Sequence, residues 1–78
     1  MSGIFTAIYS KENSIIADIS FISDHEKMAR INSFMTERCD NKYEITDLLG
    51  IHTILIYFGK SDLKKAQLFL DDLYEFMD

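Results

Sequence analysis

Apolar and polar residues alternate from Ile4 to Tyr9, placing Phe5, Ala7 and Tyr9 on one side and Ile4, Thr6 and Ile8 on the other, which is the period of a β-strand. After the polar Lys11-Glu12-Asn13, a second run alternates Ile15, Ala17, Ile19 and Phe21 with Ile16, Asp18, Ser20 and Ile22. A connection this short returns the chain antiparallel, so the two runs predict a β-hairpin.

From Ser23 onward the period becomes helical. Ser23-Asp24-His25-Glu26 fits a capping box, in which the serine side chain accepts an amide three residues on and the glutamate reaches back. Met28, Ile31, Met35 and Cys39 then share one side, with Phe34 at its edge, and Cys39-Asp40-Asn41 ends the predicted helix. Acids in its first turn and Arg38 in its last complement the helix dipole.

Tyr43 to Asp47 fits a short strand, and Leu48-Leu49-Gly50 fits either a turn or a bulge, so the pattern leaves residues 43–50 open. The run from Ile51 to Phe58 is apolar on both alternating faces, which predicts a central strand. Through Gly59-Lys60-Ser61, with Ser61 as the predicted cap, the chain enters a second helix. Leu63, Ala66, Phe69, Leu70, Leu73, Tyr74, Phe76 and Met77 share a broad side of that helix.

The order predicts an α+β fold: a small, mostly antiparallel sheet of three or four strands in ββαβ(β)α order, with both helices packed on one face. The halves also resemble one another, Ile19 to Asp24 standing beside Ile56 to Asp62 as in a ββα duplication. Ile4 to Tyr9 and Tyr43 to Asp47 are the expected edges, guarded by no proline and, on the second, only by Glu44 and Asp47.

Composition narrows the class. The 78 residues make one domain, 1–78, of which 47% are hydrophobic and 13% aromatic, so a core is expected and disorder is not. A domain this small buries roughly 60–65% of the surface its unfolded chain exposes. The single cysteine allows no internal disulfide, which leaves self-association as the remaining common support and a homodimer as an expectation. The N-terminal residues carry no basic region with a long apolar stretch and no run reaches membrane-spanning length, so cytoplasmic residence is expected. Eight basic against thirteen acidic side chains, a net charge of −5, oppose direct binding to nucleic acid and favour a basic protein partner.

Candidate chemistry is sparse. No phosphate-binding glycine loop is present, and Cys39, His25, His52 and Asp40 show no ligand spacing, so neither metal nor cofactor is implied. Cys39, beside a helix C-terminus, reads as a small apolar filler. Glu44 and Asp47 form a carboxylate pair that spacing alone does not separate from a polar edge strand. Phe5, Tyr9, Phe21, Tyr57 and Phe58 lack interleaved basic residues and read as packing groups, not base-stacking ones.

The strongest surface signal is on the last helix. Asp71, Asp72, Glu75 and Asp78 lie together opposite its apolar side, Leu68 projects among them, and Lys64 and Lys65 sit near the other end with no acid three or four positions on. Acids at a helix C-terminus and lysines at its N-terminus both run against the dipole. The expected function is a small acidic, non-enzymatic protein that blocks or adapts a basic surface of a partner through Leu68, Asp71, Asp72, Glu75 and Asp78. By size and charge this is the style of phage or mobile-element inhibitors of nucleic-acid-handling complexes, anti-CRISPR and anti-restriction proteins among them. The alternative expectation is a homodimeric regulatory or ligand-sensing module, or a small subunit of a larger complex.

Overall fold

The computed structural model describes residues 3–22 and 24–78. Four strands and two helices follow in the order β1 (Ile4–Lys11), β2 (Ser14–Ile22), α1 (His25–Arg38), β3 (Tyr43–Leu48), β4 (Ile51–Gly59) and α2 (Leu63–Met77). The strands form one antiparallel sheet in the order β1-β2-β4-β3, so β1 and β3 are its edges and β4 is central, as the two-sided apolar run requires. Residues 43–50 resolve into a separate strand and a tight turn.

Both hairpins close with two residues, and in each the first of these has positive φ: Glu12 at 57° and Leu49 at 53°, the latter followed by Gly50 at 80°. Positive φ at both central positions is the geometry whose twist matches paired strands. Gly50 adopts it without steric cost, whereas Leu49 does not. The same spacing separates Glu12 from Leu49, Ser14 from Ile51, and Asp18 from its cross-strand partner Leu55. Two ββα units are therefore related by an approximate two-fold axis through the Asp18–Leu55 pair.

Register sorts the side chains. Ile4, Thr6 and Ile8 of β1, Ile15, Ala17, Ile19 and Phe21 of β2, and His52, Ile54, Ile56 and Phe58 of β4 share the face beneath the helices. Ala66, Leu70, Leu73 and Met77 of α2 and Ile31, Phe34 and Met35 of α1 close over them into one core. Phe34 is central to the α1–α2 seam and not at the rim of the α1 stripe: it is fully buried, with ring centroids of Phe69 and Phe76 each 5.2 Å away.

The two-fold relation breaks in the helix layer. The wide apolar side of α2 lies on β2, β4 and β1, while the narrower stripe of α1 packs chiefly against α2. Neither helix backbone packs closely on β3, whose six residues are all exposed. At the opposite edge, Tyr74 holds β1 to α2, its hydroxyl 3.0 Å from Thr6 Oγ1 and 3.4 Å from the Ile4 carbonyl.

Both predicted caps move by one residue. Asp24, not Ser23, is the N-cap of α1, its carboxylate accepting the Lys27 amide at 3.0 Å, and Ser23 lies outside the described residues. Asp62, not Ser61, occupies the N-cap of α2 and makes no side-chain cap bond. There the turn is tightened by backbone instead, with the Asp62 amide donating to the Gly59 carbonyl at 2.9 Å. Leu63, placed by periodicity in the buried stripe, is largely exposed in the first turn.

Candidate functional site

Helical spacing brings Leu68, Asp71, Asp72, Glu75 and Asp78 to one side of α2, and all five are exposed, Leu68 by 52%. Among the described residues no lysine or arginine nitrogen comes within 4 Å of these carboxylates. The row straddles the crest of the helix. Asp72 and Glu75 line a shallow depression of about 270 Å³ with Arg38 and Phe76, whereas Asp71 lies on the opposite flank beside Thr6, Ala7 and Ile8 of β1.

The local charges of α2 run against its dipole, as the sequence predicts, and a neighbouring helix makes up for them. α2 carries no acid in its first turn and no base in its last, so its own charges leave the dipole uncompensated. The compensation comes from α1: Arg30 Nη2 donates to the Phe76 carbonyl at 2.8 Å in the final turn. The guanidinium carbons of Arg30 and Arg38 also lie 5.7 and 5.8 Å from the Phe76 ring centroid, and Arg38 lies 5.2 Å from that of Phe34. The arginines thus sit at the rim of the acidic crest, engaged with aromatic rings and a carbonyl.

The other titratable candidates are dispersed. Glu44 points to the open face of the sheet and Asp47 to the helix-bearing face, because odd and even positions of a strand diverge; they do not form a joint acid–base pair. Tyr57 donates its hydroxyl to Glu44 Oε1 at 2.6 Å, and this bond raises the phenol above its ordinary value of 10.0. His52 is buried, its ring 5.4 Å from that of Phe21 and its Nδ1 3.7 Å from an Asp47 oxygen. His25 is exposed in the first turn of α1. Half-buried Cys39 donates its thiol to the Asn41 carbonyl at 3.4 Å, and burial raises its ionisation above the ordinary 9.0. Among the described residues no three His, Cys, Asp or Glu side chains are grouped to hold a metal ion.

The aromatic residues also part company. Phe21 and Phe58 enter the core, and Phe5, Tyr9 and Tyr57 stand on the open face. Tyr9 and Tyr57 flank Ile16 across three strands and keep it buried on that otherwise open side. At the other end of the face, Phe5, Ile22, Leu48, Leu49 and Ile51 form an apolar corner, each about half exposed or more, with Leu49 at 93%. Phe5, Ile22 and Ile51 line a depression of about 400 Å³ there. Sequence reasoning missed this corner because both alternations of β4 are apolar. The signal was in β2, where Asp18 and Ser20 mark the solvent side and carry Ile22 with them.

No family model, no curated protein and no solved structure matches the chain. Among the described residues no helix is long and apolar enough to cross a membrane.

Proposed function

We propose that this chain is a small, non-enzymatic protein-binding protein whose α2 crest docks on a basic surface of a partner and blocks or adapts it. The observation that supports this reading is the row of Asp71, Asp72, Glu75 and Asp78 around half-exposed Leu68, with no lysine or arginine among the described residues within 4 Å. An apolar anchor within a charged ring has the form of a small interface: the leucine supplies burial and the carboxylates supply orientation and encounter rate. A basic surface that handles nucleic acid offers a suitable target, since it presents lysines and arginines arranged for phosphate.

The test is retention of proteins from a cell lysate on the immobilised chain, compared with a variant carrying Leu68→Ala, Asp71→Asn, Asp72→Asn and Glu75→Gln. All four positions are solvent-facing, so the variant keeps the fold. Basic proteins should be retained by the parent, released as salt rises, and lost from the variant. Identical retention by both would exclude the crest.

A second reading, a homodimeric regulatory or ligand-sensing module, is favoured by the apolar corner of the open face, where the exposed Phe5, Ile22 and Ile51 surround a recess. A small subunit of a larger complex would use the same surface. Saturable binding of an apolar dye that Ile22→Asp abolishes would support a ligand recess; binding that survives the substitution would exclude it.

A further inference from the structure

We infer that β3 is a self-recognition edge, joining a second copy of this chain about a two-fold axis through Ile45 to extend the sheet to eight strands. The proposal does not rest on the acidic crest, which is carried by α2 over the other strands.

Three features of β3 support pairing. Its protection is thin: the strand carries no proline, no lysine and no bulge in its register with β4, and Glu44 and Asp47 are the only charges that guard it. Its hydrogen-bonding groups are also aimed correctly. The Tyr57 amide donates to the Lys42 carbonyl at 2.9 Å, and Leu48 and Ile51 flank a two-residue turn, so the even-numbered residues face β4. Tyr43, Ile45 and Asp47 therefore direct their amide and carbonyl groups to the free edge. Finally, Tyr43 and Ile45 are apolar side chains on the helix-bearing face that stay exposed, Tyr43 by 38% and Ile45 by 51%.

The chemistry of the strand selects a copy of itself. A continuous sheet with two-fold symmetry requires the axis to stand normal to the sheet. Directly opposed residues must share a face, so the axis must pass through one residue paired with its own counterpart. Centring on Glu44 or Asp47 would set like charges in direct opposition, which is destabilising. Centring on Thr46 would oppose Ile45 to Asp47 and Glu44 to Leu48. Centring on Ile45 opposes Ile45 to itself, Tyr43 to Asp47 and Glu44 to Thr46, with no like pair opposed and all outward groups of the strand engaged. Glu44 is drawn back from the axis by the Tyr57 hydroxyl at 2.6 Å. The Ile45 and Tyr43 side chains of both copies then meet in the groove that the displaced helix layer leaves open.

Sedimentation equilibrium on the whole chain tests this, with circular dichroism to verify folding. The parent should reach dimer mass with rising concentration. Ile45→Lys sets two ammonium groups against each other at the axis and should weaken the dimer by roughly 100-fold or more without changing the spectrum. Ile22→Lys, on the open face, should leave the dimer intact. In a Cys39→Ser background, Ile45→Cys should form an intermolecular disulfide on mild oxidation, because opposed residues in such a pair lie about 5.5 Å apart between Cα atoms. A parent that stays monomeric to millimolar concentration overturns the proposal. So does a dimer that survives Ile45→Lys, or one that Ile22→Lys dissolves instead.

Discussion

Phe34→Ala is a sharp perturbation of this fold, because Phe34 is one of the three buried side chains, with Ile31 and Met35, through which α1 meets the core, and it carries the ring contacts to α2. Phe34 is fully buried, and its ring stands 5.2 Å from those of both Phe69 and Phe76, with the Arg38 guanidinium 5.2 Å away on the solvent side. Truncating a buried phenylalanine to alanine costs about 3–5 kcal/mol in lost transfer energy and cavity. Two aromatic pairs, each worth about 0.5–1.5 kcal/mol beyond burial, place this case in the upper half of that range. A chain of 78 residues has a total stability of roughly 4–12 kcal/mol, so the substitution removes a third of it or more. Urea unfolding followed by far-ultraviolet circular dichroism is the assay. With a slope of about 1–2 kcal/mol per molar for a small domain, the midpoint should fall by roughly 2–5 M. Phe34→Leu keeps most of the apolar fill but loses both ring pairs, and should cost about 1–3 kcal/mol. A loss below about 1.5 kcal/mol for the alanine variant would refute the seam as described, since the neighbouring rings would have to close the cavity without penalty.

Other consequences follow from single contacts. Leu49→Asn should raise the melting temperature, by a stabilisation of about 1 kcal/mol, because asparagine tolerates the left-handed backbone that Leu49 occupies at φ 53°; a lower melting temperature would mean that Leu49 contributes contacts of its own. Tyr74→Phe should cost about 1 kcal/mol in urea unfolding by releasing Thr6 and the Ile4 carbonyl, and hydrogen exchange should quicken first in β1. The Asp24 carboxyl is held below its ordinary 3.8, first by the Lys27 amide hydrogen bond. Its stabilisation is therefore present above pH 3.8 and is lost as pH falls through the lower folded value. Asp24→Asn keeps a capping oxygen and removes the charge, so the stability advantage of the parent at neutral pH should vanish in acid; an advantage that persists there would deny the carboxylate its role.

The elements were legible where one period dominated over enough residues. The first hairpin with its edge strand β1, both helices and the central β4 follow from alternation and helical spacing, whereas β3 was only a candidate strand. What sequence left open had physical causes. Residues 43–50 could be strand and turn or strand and bulge because Leu49 at positive φ breaks the usual preference for glycine, asparagine or aspartate at that position. The caps shifted because Asp24 and Asp62 follow serines that satisfy the same pattern, and only the backbone angles distinguish neighbouring capping residues. Of the proposed crest, periodicity alone placed Leu68 and its acids on one exposed side. The positions of Arg30 and Arg38 at its rim depend on how α1 crosses α2, which no local pattern encodes. The bareness of β3 is likewise tertiary: it follows from a wide apolar stripe on α2 and a narrow one on α1, which together draw the helix layer away from that edge.

Residue-resolved amide hydrogen exchange, measured by NMR across a dilution series whose association state is fixed by sedimentation, tests the central claim that the helix layer leaves β3 bare and its edge available to a partner. In the monomeric range, amides paired between β2 and β4 should exchange slowly and those of Tyr43, Ile45 and Asp47 quickly, with protection at these three rising as the dimer fills. Strong protection of all three in the monomer would show that the edge is already covered within one chain, and the account would be wrong.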